Sequence, residues 1–599
     1  MILQNIIFPK EDICNKDILY YRREQGKVFN LGELLVEKGS ICSFFTYFNG
    51  FSLIKWQKYT DITDFQLHIC IKGKGKIYLC HSKLQDNVPI EKVIEERAFE
   101  TMPGEHSARL AFDIPKDVYG GIIFFKLQAD EDIVFYSGSY RTTREIVNKV
   151  HIAVGICTYK REQYISKTLE LLSGTVLYNA DSPLYGNIKI YISDNGNTLD
   201  CGQISGQFIT CVYNKNAGGT GGFTRCMIEA LKEQESQKYT HFLFMDDDIL
   251  LEPETLYRTY TLLCMCSKKY SDASVGGALL RTDFMEIQHA CGECWNNGRA
   301  QSPKEGYNLS KKYFLLANEK FTKEEYNGWW YCCMPFDEKL AESLPLPVFI
   351  HRDDVEYNIR HVKKTMHLNG ISVWHDTFEN RRASNLEYYN TRNLFIVNAI
   401  HRPQYNWKQA QKHLFIHMIG QLCKYNYKNK ELIVKAVADF CKGPGFLKEQ
   451  EPVELHQDIM KMGYKLQDVS AKLDRYKKNW RHEKIKKESL YKTEKFKLCH
   501  IIFLNGWLLP AKNKLSVLPV GVFITHLFRV KRVLYYEPDT GKGFVCKRSY
   551  KELLGFLKSM YLIHRIMRKS YDKAAEEYRS RYQELTNLEF WKRYLDLAD

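Results

Sequence analysis

Three consecutive carboxylates, Asp246, Asp247 and Asp248, end the apolar run Phe242 to Met245. Alternate side chains of an extended segment share a face, so Asp246 and Asp248 can converge on one cation. Asp247 then points the other way, toward the protein or a sugar. Adjacent carboxylates repel, and a divalent ion relieves that cost. Val373-Trp374-His375 closes a second short apolar stretch. A lone His is usually not a ligand, but with Asp246 and Asp248 His375 would complete a set of three protein ligands for one cation. A third group lies in FIHRDDVEYNIR, Phe349 to Arg360. Val355, Ile359 and Val362 recur at helical spacing, predicting a helix from about Asp353. Asp353 suits its N-cap and Asp354 its first turn. The helix dipole favours an ionised Asp354, as a general base requires, although helix starts carry Asp for capping alone.

Other strand ends carry further polar groups. Cys157 to Glu162 reads CTYKRE and places Thr158 and Arg161 where a strand gives way to a helix, a position suited to an anionic or nucleotide group. Ser193-Asp194-Asn195-Gly196 offers Asp194 and Asn195 to a nucleobase edge or ribose, though turns also favour such residues. Asn214 to Phe223 holds four glycines in five residues before a helix, which lets a backbone approach phosphate closely or simply turn tightly. Asn327-Gly328-Trp329-Trp330-Tyr331 puts two indoles on opposite faces of a strand, one for the core and one free to stack on a sugar, unless both are core.

The elements that must position these residues fall into three parts. Residues 1–147 read as an all-β sandwich: Phe65, Leu67, Ile69 and Ile71 alternate with polar residues, Lys72 to Lys76 reads as a turn, and Ile122 to Leu127 and Ile133 to Tyr136 follow. From 148 to 400, apolar strands and amphipathic helices alternate, which predicts an α/β domain with a mostly parallel, Rossmann-like sheet. Ligands bind at the carboxyl edge of such a sheet, where the strand ends above lie. Residues 401–599 read as a mainly helical region that includes Leu432 to Phe440, Asp468 to Tyr491 and Tyr550 onward.

Composition narrows the function classes. Hydrophobic content of 44% with 14% aromatic residues supports several packed cores rather than disorder. Eighteen scattered cysteines and no apolar leader fit reduced thiols in the cytoplasm, not a secreted disulfide scaffold. No apolar run is long enough to span a membrane. The net charge of +15 is uneven: from Ala471 to His500, eleven Lys or Arg stand against four Asp or Glu. That run suits an anionic membrane surface or a solvated helix face. Its sparse aromatics, Tyr476, Trp480 and Tyr491, argue against a nucleic-acid partner.

In order along the chain, TYKR (158–161), SDN (193–195), NAGGTGG (216–222), FMDDDI (244–249), NGWW (327–330), RDDVEY (352–357) and WH (374–375) resemble family 2 inverting glycosyltransferases of the GT-A fold. More narrowly, they resemble the polymerising galactofuranosyltransferases of mycobacterial galactan. The resemblance implies an enzyme, and the basic C-terminal region fits a peripheral one at the inner face of the cell membrane. It would move galactofuranose from UDP-galactofuranose to a growing, lipid-linked or cell-surface glycan, and relatives form homo-oligomers. Thr158, Arg161, Asn195 and Asn216 would contact the uridine diphosphate, with Asp194, Asp247 and Asp353 beside the substrate. Asp246, Asp248 and His375 would hold Mn2+ or Mg2+, and Asp354 would be the catalytic base. Trp329 or Trp330, with Glu293 of the CGEC segment, would hold the acceptor or donor sugar. Two positions depart: Asn195 stands where the family has Gln, and Asn390 where it has His. A transferase of another sugar, such as rhamnose, and a non-catalytic glycan-binding protein are the alternatives.

Overall fold

The computed structural model describes residues 1–102, 104–296, 298–376, 386–477, 498–519, 524–537 and 540–597. Strict alternation in Phe65–Lys72 turns Phe65, Leu67, Ile69 and Ile71 inward. That strand belongs to an antiparallel sheet ordered Val28–Asn30, Leu34–Val36, Ile133–Arg141, Phe65–Lys72 and Ala108–Ile114, with Ile2–Asn5 also on Ile133–Arg141. A second antiparallel sheet orders Arg22–Gln25, Ile41–Ser43, Ile122–Ala129, Lys74–Gln85 and Val88–Glu100. The Lys72 to Lys76 turn therefore carries the chain from one sheet to the other instead of closing a hairpin. Gly73 makes the crossing at φ +116°, where a Cβ would lie 2.3 Å from the Asp132 carbonyl. The sheets meet face to face through Phe125 and Phe135, with ring centroids 5.6 Å apart, and Phe44 stacks on Phe125 at 4.1 Å.

The next sheet has seven strands, ordered Ile209–Tyr213, Ile188–Asp194, Ile152–Thr158, His241–Met245, Tyr331–Pro335, Ser274–Gly276 and Thr365–Met366. The first four run parallel, and Tyr331–Pro335 is antiparallel to both neighbours. His241–Met245 is buried at every position, as a strand covered on both faces must be. A smaller sheet pairs Leu250–Leu251 with Ser372–His375, setting Leu250 opposite Trp374. This register returns the end of one apolar stretch to the chain just after the acidic triplet.

The helix that follows, Pro253–Met265, is gripped from the N-terminal sandwich. Glu254 accepts from the Asn5 amide at 2.7 Å, its side-chain nitrogen at 3.0 Å and Arg258 Nε at 3.1 Å. The Tyr20 hydroxyl donates to Glu252 at 2.5 Å. All these side chains except Asn5 are buried.

Helices dominate from Leu386 onward, among them Leu386–His401, Trp407–Cys423, Asn429–Phe440 and the long Tyr550–Arg581. A four-stranded sheet interrupts them: Gln467–Asp468, Lys542–Lys547, Val530–Tyr536 and Lys512–Pro519. Three of its strands follow one another closely in sequence, within a region read as mainly helical, and Gln467–Asp468 joins them from a distance. Of the charged stretch read as one helix, Ser470–Lys477 is helical. The remainder of that stretch, and most of the basic run ending at His500, lie in 478–497, outside the described residues. Among the described residues, no helix is long and apolar enough to cross a membrane.

Candidate active site

The carboxyl ends of Ile152–Thr158 and His241–Met245 open side by side, because these strands pair in parallel. Arg161, just past the first, reaches the acidic triplet just past the second. Its Nη1 lies 2.9 Å from Asp247 Oδ1 and 2.8 Å from Asp248 Oδ2. From the smaller sheet, His375 Nε2 lies 3.0 Å from Asp248 Oδ1. Both oxygens of Asp248 thus face cationic or N–H groups. Burial alone would push His375 down, but the Asp248 hydrogen bond and the charges of Asp248 and Asp246 outweigh it and hold the imidazole up to about 9. Burial pushes Asp246 up to about 7, with His375 pulling back and the neighbouring carboxylates adding to the rise.

The donor set of Asp246, Asp248 and His375 suits a hard divalent cation. Asp246 makes no hydrogen bond among the described residues, and Asp247 Oδ2 and the Thr158 hydroxyl are buried without a partner. Burial raises the Asp247 carboxyl, with Arg161 and the nearby Thr158 hydroxyl pulling it back. Yet among the described residues no three His, Cys, Asp or Glu side chains gather tightly enough to hold a metal. Arg161 and the raised His375 supply the positive charge there, so a cation would take over the Asp248 oxygens from them.

The glycine-rich segment forms the start of the 15-residue helix Gly218–Lys232, packed tightly against its neighbours. Gly218, at φ +72°, leaves room for Phe349: a Cβ there would sit 2.1 Å from the Phe349 carbonyl. A Cβ on Gly222 would sit 2.1 Å from Cys157 Sγ. Gly218 and Gly222 therefore serve close protein packing, while a Cβ on Gly219 would meet nothing within 4 Å. Thr220 completes the joint: its hydroxyl lies 3.1 Å from the Phe349 carbonyl and 2.7 Å from Asp353 Oδ2.

Phe349, His351 and Arg352 all have positive φ, between 64° and 76°. Three non-glycine residues in that region cost energy and persist only where surroundings hold them. Arg352, not Asp353, is the cap of the helix Asp353–His361, and it caps without a side-chain bond. Asp354 does not follow the dipole expectation. Burial raises its pKa well above the usual carboxylate range, and the charges of Asp353 and Glu293 raise it further. A nine-residue helix offers only a fraction of a charge against these effects. Asp353 is raised by burial too, with the Thr220 hydrogen bond opposing. Burial likewise holds Glu293 up to about 7. Glu293 is bridged through its backbone to Tyr326.

Several residues expected to contact substrate also have partners within the protein. Asp194 accepts from the amides of Gly196 (2.9 Å), Thr198 (2.6 Å) and Leu199 (2.8 Å), so it shapes its own loop. Asn195 donates to the Gly218 carbonyl at 2.8 Å and accepts from Asn214 at 2.8 Å, tying its strand to the glycine segment. Asn216 accepts from the Gly218 amide at 3.1 Å. Trp329 is core: it stacks on Phe244 at 4.3 Å and sits edge-on to Phe223 and Tyr357. Trp330 is the half-buried one, donating to the Gly277 carbonyl at 2.9 Å. Asn390 contributes its carbonyl to Arg352 Nε at 3.2 Å.

Sequence reasoning missed Thr220 and Arg352, although both sit inside motifs it singled out. Arg352 lies 4.9 Å from the Trp295 ring centroid, and the charges of Asp354, Glu387 and Glu293 bear on it.

Residues 3–143 match the family model described as Galactofuranosyltransferase 2 N-terminal. Galactofuranosyltransferase GlfT2 of Mycolicibacterium smegmatis is 27% identical over 433 residues, covering 67% of this chain and 64% of that protein. GlfT2 of Mycobacterium tuberculosis is 28% identical over 431 residues, covering 67% and 65%. The chain is GlfT2-like in sequence. The match spans a little under two-thirds of each GlfT2 relative. Among solved structures, xylanase 10B of Clostridium thermocellum aligns over 32% of the GlfT2-like chain and 38% of its own at 10% identity. The TM-score of 0.17 is too low to bear on the fold.

Proposed function

We propose that this chain is a metal-dependent, inverting galactofuranosyltransferase of the GT-A type, using UDP-galactofuranose and extending a cell-surface glycan. The observation that carries the reading is the meeting of Arg161, Asp247, Asp248 and His375 at one sheet edge, with the adjoining Asp246 within electrostatic reach of Asp354, in a GlfT2-like chain. The parallel strands with one antiparallel member are compatible with a GT-A sheet.

Asp246, Asp248 and His375 would hold Mn2+ or Mg2+, which acts as a Lewis acid toward the departing diphosphate. The chain's own residues do the rest. Thr158 and Arg161 bound the nucleotide side of the cleft, and Asn195 and Asn216 support the glycine segment beneath it. Asp354 accepts the proton of the acceptor hydroxyl as its oxygen bonds to the anomeric carbon. The anomeric carbon's bond to the diphosphate breaks on the opposite side, UDP leaves, and the configuration inverts. A high pKa makes Asp354 a strong base once it is ionised. Trp330 and Glu293 would border the sugars.

A panel of nucleotide sugars offered to the purified protein tests the donor. Turnover of UDP-galactofuranose is expected, and turnover of a rhamnosyl donor alone overturns the assignment. Asp354→Ala should abolish transfer while calorimetric UDP affinity stays within about threefold; substantial residual transfer would mean another residue is the base. Mn2+ binding, followed by paramagnetic resonance, should weaken in Asp248→Asn, and unchanged binding would remove the metal site from these residues.

A further inference from the structure

Beside Arg352 a cavity of about 370 Å3 opens between the helices Leu386–His401 and Trp407–Cys423. Small-molecule sites begin at about this volume. Arg352 forms part of one wall, where the Asn390 carbonyl accepts from its Nε at 3.2 Å. The two residues after Arg352 are Asp353 and Asp354, and the charges of Asp354 and Glu387 both bear on the guanidinium. The cavity therefore adjoins the carboxylates of the cleft. Among the described residues, none from the strands Ile152–Thr158 or His241–Met245 lines it, so it stands apart from the sheet edge that carries Arg161 and Asp248.

The wall facing Arg352 is polar and fixed. Glu387 is buried; its Oε1 lies 2.6 Å from His417 Nε2, and Gln421 Nε2 donates to its Oε2 at 3.1 Å. Thr391 and Asn429 add longer contacts, at 3.4 and 3.5 Å. These leave room on a carboxylate, which accepts about four hydrogen bonds. Asn426 Nδ2 donates to Gln421 Oε1 at 2.7 Å and so holds the amide in place. His417 pairs with a buried acid, yet its side chain is 46% exposed, because it faces the open cavity. Leu394, Leu414, Ile416 and Tyr405 supply an apolar wall. A mostly apolar lining with a few convergent polar groups is the make-up of a ligand site.

We propose that this cavity is a separate sugar subsite for the acceptor chain, holding a glycan residue set back from the hydroxyl that attacks. The inference rests on the transferase reading, which puts the reacting end of that chain at Asp354. A sugar hydroxyl would donate to Glu387 and accept from His417 or Gln421, and the C–H face of the ring would lie on Ile416 and Tyr405. Arg299 and Lys424 also line the cavity, but the carboxylate in its polar wall would repel a phosphate, so a neutral glycan residue is the better occupant.

Transfer to galactofuranosyl disaccharide and hexasaccharide acceptors tests it. Ile416→Trp fills the cavity from a side chain already 52% exposed. It should raise KM for the hexasaccharide roughly tenfold, with kcat, KM for the disaccharide and KM for UDP-galactofuranose within about twofold of the parent. Gln421→Ala should act in the same direction, and both variants should keep the parent's melting temperature. An unchanged hexasaccharide KM in both variants overturns the inference, and so does a rise shared equally by the two acceptors. If the parent transfers nothing from UDP-galactofuranose, the transferase reading fails, and calorimetry of the hexasaccharide without donor judges the cavity by itself. Binding that is lost in Ile416→Trp then upholds the subsite; binding that is absent from the parent, or kept by the variant, overturns it. Inorganic phosphate that binds the parent but not His417→Ala, with hexasaccharide binding unchanged, would assign the cavity to an anion and overturn it too.

Discussion

Thr220, at the start of a helix on one side of the cleft, donates its hydroxyl to Asp353, at the start of a helix on the other, at 2.7 Å. The same hydroxyl and its backbone amide both address the Phe349 carbonyl. One small side chain thus fastens the glycine segment to the left-handed run that presents Asp353 and Asp354. Thr220→Val keeps the volume but removes the donor. It should cost about 1–3 kcal/mol of stability, because a half-buried carboxyl loses its partner. Transfer should fall by roughly tenfold to a hundredfold as Asp354 loses its placement. Urea unfolding and steady-state rates check this, and a variant equal to the parent in both would show the contact to be idle.

Asp353 also sets the charge environment of the proposed base. Burial is the larger cause of Asp354's raised pKa, and Asp353 is the next. Asp353→Asn removes that like charge. The acid limb of the pH–rate profile should move to lower pH, with rate gained below the parent's apparent pKa. A limb that stays in place would separate Asp354 from the observed titration.

Glu356 gives a stability test independent of activity. Burial opposes its ionisation, but Arg360 and His401 overcome this and hold it at about 2 against the ordinary 4.5. Its contribution is therefore present above pH of about 4.5 and is lost as pH falls toward 2, of order 3 kcal/mol in full. The unfolding free-energy gap between the parent and Glu356→Gln should be flat from pH 7 to 5. It should narrow by about 1 kcal/mol by pH 3.5. A gap that widens with acid would reverse the sign argued here.

The two tryptophans should separate cleanly. Trp329→Ala empties a stack against Phe244 and should cost about 3–5 kcal/mol. Trp330→Ala should cost less stability and raise the Michaelis constant for acceptor or donor. Denaturant midpoints and saturation kinetics distinguish them.

The strand ends that carry the candidate site were legible because apolar runs broken by polar groups report a sheet edge directly. What the polar groups do there was less so. Asp194 and Asn195 looked free for a nucleotide, but their partners are local amides and the Gly218 carbonyl. The glycines read as room for a phosphate or as a tight turn, and the close neighbour that Gly218 admits is Phe349, far along the chain. The rank order of Trp329 and Trp330 depended on which face the strand turned inward, which periodicity alone leaves open. Asp354 was read through its helix dipole, when desolvation, its neighbour Asp353 and the distant Glu293 raise its proton affinity.

The grip of Asn5 and Tyr20 on Glu254 and Glu252 bears on heredity as well as on architecture. The loop holding the acidic triplet runs straight into the helix that these contacts clamp. A recombination event that exchanged the first 147 residues for another sandwich would strand two acids and Arg258 in the interior, and the harm would surface at Asp248. The two halves are bound to travel together through evolution, and a chimera would need matching residues at these few positions before it inherited a working cleft.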